Sequence, residues 1–531
     1  MQTVSENWKN AHKQTLLNES FVEISLDITD PDALADASPQ DNGAIYISNS
    51  SELTDGTDKS PIPYCTLEQN LWCLDGSRKA IPTSDFGENC FVGDVLSDDT
   101  CVFSTKIPII SINFSKVFDK LVPGVTIVWS NTYDEYPDTF EIIAYNGDTI
   151  VASKEVTKNR SVKSIVLMDI AEYDKIAIVI KKWCLPNHRA RVEEIFIGLN
   201  KVYGKTDLFN YSHSQSVDPV STSLPKNEIK FSVDNVGGEY NPYNTDGLSK
   251  YLIERQEVKT RYGLKTDSNT IEWIKGGTFY LSEWSAKQNG LTADFTARDL
   301  FEFLSSIYVD NVSAITSRSL YDLALAILQS AELPLNSDGS VKWLIDESLK
   351  NIYTSAPLPL DTRANCLQLI ANAGECVLYQ DRNGTLRIEP LKFVESDYVI
   401  DSSNSYTKPE ITLSKTIKEV RVNVYSYTKS SKGVESTTSE EIKVVGTSGE
   451  IITVDNPLIT DIGRALSLLN WLATHLGHRA TLDYSWRADV RLDAIDIVTN
   501  TNAYGTNRVR MTDVEYRYNG AFRGTGKGKV I

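Results

Sequence analysis

The sequence lacks the short motifs that mark common catalytic and nucleotide-binding sites. It contains no G-x-S-x-G, no G-x-x-x-x-G-K-[ST], no H-E-x-x-H and no G-x-G-x-x-G after a strand. The glycine-rich end, Gly524 to Gly528, precedes no helix that could supply a phosphate site. These absences predict a protein that is not an enzyme and uses no cofactor.

Long apolar runs and closely spaced cysteines are also missing. No run approaches the roughly 18 residues needed to cross a bilayer, and the first fifteen residues lack the apolar segment of a signal peptide. The protein is therefore expected to be made in a cytosol and not to be secreted by a classical route. The seven cysteines contain no C-x-x-C pair, so we predict buried, reduced thiols and no zinc site.

Histidine is scarce, which limits metal binding. Of the five histidines, only His475 and His478 are close in sequence, and no third ligand accompanies them. Both fall at the end of a predicted helix, where a cation complements the helix C-terminus. We predict no metal site.

Basic residues are outnumbered, with 53 Lys and Arg against 71 Asp and Glu and a net charge of −18. This balance opposes a broad basic face that would wrap nucleic acid or dock on anionic lipid. The charge is also uneven: residues 1–100 hold 5 basic and 18 acidic side chains, whereas residues 151–191 hold 9 basic and 4 acidic ones. We expect domain boundaries near these changes of sign.

What the sequence does contain is strong β-strand patterning. Short runs suited to strands arrive about every ten residues between 126 and 197, separated by turns such as Asn146-Gly147-Asp148. This spacing predicts an antiparallel β-sandwich, inserted between two halves of another domain. The runs are Thr126–Trp129, Thr139–Tyr145, Thr149–Val156, Ser164–Ile170, Lys175–Lys182 and Val192–Ile197.

Outside this stretch, strands and a few helices are predicted. Helical spacing and capping residues place helices at Leu320–Leu333, from Asp361 or Thr362 to Ala371, and at Thr460–Leu476. The residues Ile274 to Thr278 are predicted as a tight hairpin turn of the kind that closes small barrels. Strands are predicted at Phe21–Ile28, Ala44–Ile47, Ile229–Val233, Gln256–Tyr262, Thr270–Ile274, Thr278–Trp284, Leu291–Ala297, Glu375–Tyr379, Thr385–Ile388, Glu419–Tyr427, Glu440–Val445, Arg479–Tyr484, Asp496–Thr499 and Arg508–Tyr518.

One group of side chains in the predicted sandwich has the chemistry of a binding site. Aromatic rings stack on the faces of sugars, and cationic side chains hold anionic groups. The alternative, that the tryptophans are core or rim residues, is favoured by the abundance of buried aromatics in β cores. The candidate glycan-binding residues are Trp129, Tyr133, Tyr136, Trp183, His188, Arg189 and Arg191.

A series of motifs follows the order found in a known family. The motifs cover Ile229–Asn235, Gly238–Tyr243, Trp273–Trp284, Thr292–Asp299, Asp361–Ile370, Tyr379–Pro390, Asn456–Ile459, Trp486–Asp496 and Tyr518–Gly524. Within them stand strings such as Gly-Glu-Tyr-Asn-Pro-Tyr and Trp-Ile-Lys-Gly-Gly-Thr-Phe-Tyr-Leu-Ser-Glu-Trp. In this order the chain resembles the hub, or tail-tip, proteins of bacteriophage tails, prophages and tailocins.

The resemblance implies a mainly β protein with α+β parts. It implies two related β-barrel-like hub domains and a small helix-sheet connecting domain, to which the inserted antiparallel β-sandwich is an addition. The expected boundaries are residues 1–101 and 200–310 for the two parts of the first hub barrel, 102–199 for the sandwich, 311–400 for the connecting domain, and 401–531 for a C-terminal β-rich hub domain with one helix.

The resemblance also implies an assembly role. Three copies would form a ring that continues the tail tube, in a virion tail assembled in the cytoplasm of a host bacterium. Its neighbours would be a distal tail or tail-tube protein, a tape measure protein, and spike or fibre proteins, and DNA would only pass an acidic lining. The alternative is an adsorption protein that binds a host-surface glycan through the sandwich.

Overall fold

Most of the chain is built from β-strands. The structure, a computed structural model, describes residues 1–14, 18–29, 31–54, 62–80, 90–244, 247–266, 270–287, 290–310, 315–336, 339–393, 395–430, 433–502 and 505–531. The α-helices are α1 Glu6–Lys13, α2 Pro31–Asp36, α3 Leu320–Ser330, α4 Arg363–Ala373 and α5 Ile462–Gly477, with 3₁₀ turns at Ser50–Glu52, Ser249–Tyr251, Leu300–Leu304 and Glu347–Asn351.

The strands are distributed along the whole chain, which confirms the mainly β prediction. They are β1 Ser20–Thr29, β2 Ser38–Asp41, β3 Phe91–Leu96, β4 Ile109–Phe118, β5 Val122–Val128, β6 Pro137–Asn146, β7 Thr149–Thr157, β8 Lys163–Ile170, β9 Tyr173–Trp183, β10 Arg189–Val192, β11 Glu194–Tyr203, β12 Leu208–Ser216, β13 Lys226–Asp234, β14 Glu257–Lys265, β15 Ile271–Ala286 and β16 Thr292–Arg298. They continue with β17 Ile307–Tyr308, β18 Arg318–Ser319, β19 Trp343–Ile345, β20 Tyr353–Thr354, β21 Asp361–Thr362, β22 Cys376–Gln380, β23 Leu386–Pro390, β24 Glu395–Ile400, β25 Glu410–Leu413, β26 Ile417–Ser430, β27 Gly433–Val444, β28 Glu450–Val454, β29 Ala480–Trp486, β30 Ile497–Asn502, β31 Gly505–Tyr518 and β32 Phe522–Val530.

The chain forms two compact units. The first unit contains residues 1–25, 202–336 and 341–531, and the second contains residues 26–201 with residues 337–340. The chain enters the second unit within β1 and leaves it within β11, so the second unit is inserted in the sequence of the first. Its start at residue 26 lies well before residue 102, where the sequence pattern placed the start of the sandwich.

Besides the short sheet of β10 and β3, the second unit contains two larger antiparallel sheets. One has the strand order β2-β4-β9-β6-β7 and the other contains β11, β5 and β8. Alternate side chains of the two sheets meet in one core, to which Ile112, Ile127 and Ile178 contribute. The six strand runs predicted between 126 and 197 correspond to β5 to β9 and β11.

Residues 26–101 take part in this core although they show little strand pattern. Ala33, Leu53, Cys90 and Phe91 are all buried in it. These side chains are isolated anchors on loops and short elements, not one alternating face of a long strand. Periodicity along the sequence therefore could not assign this segment to the sandwich.

The first unit is organised around a long antiparallel sheet. Nine of its strands follow the hydrogen-bonded order β25-β29-β32-β31-β12-β13-β16-β15-β14. β12 pairs with β31 from Tyr211 opposite Tyr518 to Ser216 opposite Asp513, and this pairing joins a ladder from 208–298 to a ladder from 480–530. Within the described residues, the hydrogen-bonded path does not close into a barrel.

The hairpin turn predicted at 274–278 is wrong, because β15 runs straight through it. Gly277 pairs with Thr260 of β14, and the register shifts beside this pair. A Cβ on Gly276 would lie 2.9 Å from the ring of Tyr262. The two glycines therefore accommodate a bulge and a close side chain within a strand, and they do not reverse the chain.

One other strand prediction differs from the structure, and the glycine-rich end, which precedes no helix as expected, proves to be part of a strand. Ala44–Ile47 is no strand and contributes a single bridge, from Ala44 to Gly93. The glycine-rich end lies inside β32, where a Cβ on Gly524 would lie 2.9 Å from the indole of Trp486. In both places the neighbouring strand decides the conformation, and the local sequence does not.

The helices of the first unit share one core with the strands that they cover. Buried residues of α3, α4 and α5, such as Leu323, Ile370 and Leu468, belong to the same cluster as Val422 of β26. α4 begins after Thr362, whose side chain accepts a hydrogen bond from the Asn365 N–H, as the capping pattern predicted. The helix-sheet region and the segment that carries α5 thus pack together.

Candidate functional site

Three segments of the second unit bring the charged side chains of the candidate site together. Arg189 and Arg191 lie on β10, which pairs with β3. A tight turn orients Glu135, whose backbone N–H and C=O bond to Ser130 at 3.1 and 3.2 Å. Glu68 reaches the same place from the loop at 62–80. The site therefore depends on contacts between residues that are distant in sequence.

The carboxylate of Glu68 accepts the largest number of hydrogen bonds in the site. Arg191 donates to its two oxygens from Nη1 at 2.8 Å and from Nη2 at 2.5 Å. The Arg189 backbone N–H donates at 2.8 Å and the Thr66 hydroxyl at 2.7 Å. The Glu68 side chain is 0% exposed and that of Arg191 6%, so these bonds replace water around both charges.

Glu135 forms the second half of this buried network. Its carboxylate accepts hydrogen bonds from Trp183 Nε1 and from His188 Nδ1, both at 2.8 Å. Arg191 Nη1 lies 3.5 Å from the same carboxylate. The indole and imidazole N–H groups are therefore used inside the protein.

Burial and charge pairing act in opposite directions on these groups. Burial opposes ionisation of Glu68, but the charge and hydrogen bonds of Arg191 outweigh it, so the pKa of Glu68 is lowered. Burial also disfavours the His188 cation, but the hydrogen bond and charge of Glu135 raise the pKa of His188 above its ordinary value. The pKa of Arg191 is raised by Glu68 in spite of its burial. The network thus favours its charged forms.

The remaining candidate residues lie at the edge of this network or outside it. The Tyr133 ring lies 4.6 Å from the Arg191 guanidinium and 5.1 Å from that of Arg78. Trp129 is fully buried and donates from Nε1 to Ser164 Oγ at 2.7 Å. Tyr136 packs against the core of the sandwich.

The structure thus brings together five of the seven candidates, around two carboxylates that the sequence analysis did not single out. Trp129 and Trp183 are buried, as the packing alternative expects, and so are His188 and Arg191. The partly exposed candidates are Tyr133, Tyr136 and Arg189. Glu68 lies in a loop segment without strand or helix periodicity, and no local signal distinguished it.

A cleft opens beside Tyr133 and Arg191, with Tyr64, Thr66 and Ser130 also in its wall. Its cavity volume is about 20 Å³, which holds one or two water molecules. A sugar ring is larger than this cleft, so a glycan would have to rest on the surface around it.

The residues that the structure describes contain no set of side chains suited to binding a metal ion. No group of three His, Cys, Asp or Glu side chains there could hold an ion. His475 lies in the last turn of α5 and His478 caps its end, as predicted. None of the seven cysteines, all of them described, forms a disulfide, and Cys90, Cys366 and Cys376 are buried. None of the described helices is both long and apolar enough to cross a membrane.

Comparisons with known proteins find similarity in structure only. No family model matches the sequence, and no curated protein matches it. The 43 kDa tail protein of prophage MuSo2 from Shewanella oneidensis aligns over 62% of this chain and 95% of its own, with 10% identity and a TM-score of 0.42. A tail protein from Neisseria meningitidis MC58 aligns over 62% and 93%, with 11% identity and a TM-score of 0.42.

A third solved structure belongs to the same group. The prophage tail protein gp18 from Listeria monocytogenes aligns over 62% of this chain and 91% of its own, with 12% identity and a TM-score of 0.39. The chain is therefore structurally similar to phage and prophage tail proteins at low sequence identity. This is the group of proteins that the ordered motifs resemble.

Glu68→Gln should destabilise the second unit by about 3–5 kcal/mol, because it leaves the buried Arg191 without its counter-charge. The matched control is Glu155→Gln, which removes an exposed carboxylate beside Lys181 and should cost less than about 1 kcal/mol. Calorimetric unfolding of both variants measures the difference. Equal losses of stability in the two variants would mean that the buried Glu68–Arg191 pair contributes no more than an exposed ion pair.

The stability of the second unit should also depend on His188 protonation. Because its folded pKa is raised above the ordinary 6.5, its contribution is complete below that value and is lost as the pH rises through the folded pKa. Replacing His188 with Gln should remove this dependence. Melting temperatures of both proteins from about pH 5 to pH 9 test it, and parallel curves would contradict it.

Proposed function

We propose that the chain is a structural hub protein of a phage-type tail tip, three copies of which form a ring that continues the tail tube. The observation that carries the proposal is a set of sheet edges in the first unit that expose apolar side chains among charged ones. The proposal assigns the two joined ladders at 208–298 and 480–530 to the two hub domains that the sequence resemblance implies. α3, α4 and the sheet of β19, β23 and β22 correspond to the connecting domain.

The exposed edges lie on three strands. β25 ends the nine-strand path, all four of its residues are exposed, and Ile411 and Leu413 are 52% and 65% exposed. β27 and β28 flank β26, and neither has another partner strand among the described residues. On them, Ile442, Val444 and Ile451 are 47%, 68% and 47% exposed.

Edges of this kind are costly to leave uncovered. Unpaired backbone groups beside apolar side chains attract other strands, and monomeric proteins usually protect them with charge, proline or a covering element. In a closed ring, each copy covers the edge of the next, and no open edge remains to recruit further chains. A protein that works as one segment of a ring therefore has a use for these strands.

The function is mechanical in this proposal. The ring connects a distal tail or tail-tube protein and a tape measure protein on one side to spike or fibre proteins on the other, within a virion tail. The net charge of −18 suits a channel past which DNA moves, because an acidic wall repels the phosphate backbone. No covalent step is required of any side chain.

Val444→Lys should prevent ring formation without unfolding the chain, because a charge on an exposed edge blocks strand pairing and apolar contact. Light scattering after gel filtration should give three times the 59.2 kDa of one chain for the wild type, and one chain for the variant. The control is Ile150→Lys, on the edge strand β7 of the second unit, where the exposure is 55% and no effect is expected. A wild type that stays monomeric, with or without tail partners, would refute the proposal.

Glycan recognition by the second unit is a second candidate. The observation that favours it is the partial exposure of Tyr133 and Arg189 next to the hydroxyls of Thr66 and Ser130, a combination that suits contacts with a sugar. A glycan array should then show binding that Tyr133→Ala loses and Tyr145→Ala, which removes another partly buried tyrosine beside a cation, keeps. Absence of wild-type binding would leave the sandwich without this role.

A further inference from the structure

A small pocket in the first unit gathers four basic side chains, and Asp218 and the last residue, Ile531, also lie in its wall. His475 and His478 approach it from the end of α5, and Arg510 and Lys529 approach it from β31 and β32. Arg510 and Lys529 lie directly opposite each other in the antiparallel pair. Like charges in this position repel each other, so the arrangement needs a compensating partner.

Arg510 is the central group of this pocket. Its residue is 2% exposed, and its three guanidinium nitrogens have no hydrogen-bond partner. The contact that it does make is with the ring of Phe393, 4.6 Å away. A buried guanidinium without hydrogen bonds is costly, because the water that it loses is not replaced.

Asp218, the acidic side chain in the pocket wall, accepts hydrogen bonds within its own turn. The carboxylate of Asp218 accepts backbone N–H bonds from Val220, Thr222 and Ser223 at 3.1, 2.7 and 3.1 Å. It also accepts the Thr222 hydroxyl at 2.5 Å. Asp218 therefore holds its own turn and forms no ion pair with Arg510.

Burial and the neighbouring positive charges lower the pKa values of Arg510 and His475. Burial, with a further contribution from Arg508, lowers the pKa of Arg510 to about 10. Burial and then Arg510, His478 and Lys529 lower the pKa of His475 to about 4. Both imidazoles are neutral at pH 7 and can each donate one N–H. A metal cation is disfavoured, because Arg510 and Lys529 stand where further ligands would be needed.

We propose that this pocket binds a small oxyanion of the phosphate or sulfate type, held by Arg510, Lys529, His475 and His478. A planar guanidinium donates two parallel hydrogen bonds to such an ion. The cavity volume is about 30 Å³, room for two or three water molecules and so for a small ion, but not for a nucleotide or a sugar. The bound anion ties the end of α5 to the hairpin of β31 and β32.

Thermal unfolding of the full chain in sodium phosphate or sodium sulfate, against sodium chloride at equal ionic strength, tests the proposal. The wild type should gain about 2–4 °C saturably. Arg510→Met should abolish the gain and Lys529→Gln should weaken anion affinity about tenfold. Arg508→Met, which changes an exposed arginine on the same strand, should keep the full response.

The variants also separate an anion site from a purely structural arginine. Without phosphate or sulfate, Arg510→Met should melt no lower than the wild type, because the thioether carries no unpaired charge; a lower melting temperature would contradict the proposal. If Arg510→Met does not fold, the response of Lys529→Gln decides the outcome. A wild type that does not respond to either anion would overturn the proposal, and so would stabilisation by a duplex oligonucleotide without stabilisation by inorganic phosphate.

Discussion

The buried pairing of Glu68 with Arg191 is the constraint on which the inserted unit depends. Removing two charges from water costs several kcal/mol each unless hydrogen bonds replace the lost solvent, and here Thr66 and the Arg189 backbone complete the set. Most of the acidic stretch, residues 26–100, and the basic stretch at 151–191 belong to one unit, in which a member of each forms this ion pair.

The sequence prediction was right where residues close together in the sequence determine the structure. The strand runs between 126 and 197 and the cap at Thr362 follow from alternation and from side-chain capping, and both are found. The Gly276-Gly277 pair was misassigned because glycine permits a turn and a bulge equally well. Thr260 and Tyr262 on the neighbouring strand leave no room for a Cβ at Gly276, and the ring of Phe279 leaves none at Gly277.

For the candidate site, too, the sequence shows the residue types but not the contacts that they make. Five of the seven aromatic and cationic candidates in the sandwich lie together, and their role depends on which faces the rest of the unit covers. An arginine beside a tryptophan suits an anionic sugar and a buried carboxylate equally well. In the structure, Arg191 pairs with the buried carboxylate of Glu68. Glu68 lies on a loop without strand or helix periodicity, and nothing near it in the sequence indicates that it is buried.

Arg191 and Arg510, two of the four buried arginines among the described residues, lie in opposite electrostatic surroundings. Arg191 meets Glu68, and its pKa is raised. Arg510 meets a phenylalanine ring and like charges, and its pKa is lowered to about 10. Because both are almost fully buried, the difference lies in the counter-charge alone. The edge strands β25, β27 and β28 are a similar case. Each lacks a strand partner on one side among the described residues, and each exposes apolar side chains. Arg191 finds its counter-charge within the chain, whereas we propose that an anion pairs with Arg510 and that neighbouring chains cover these edges.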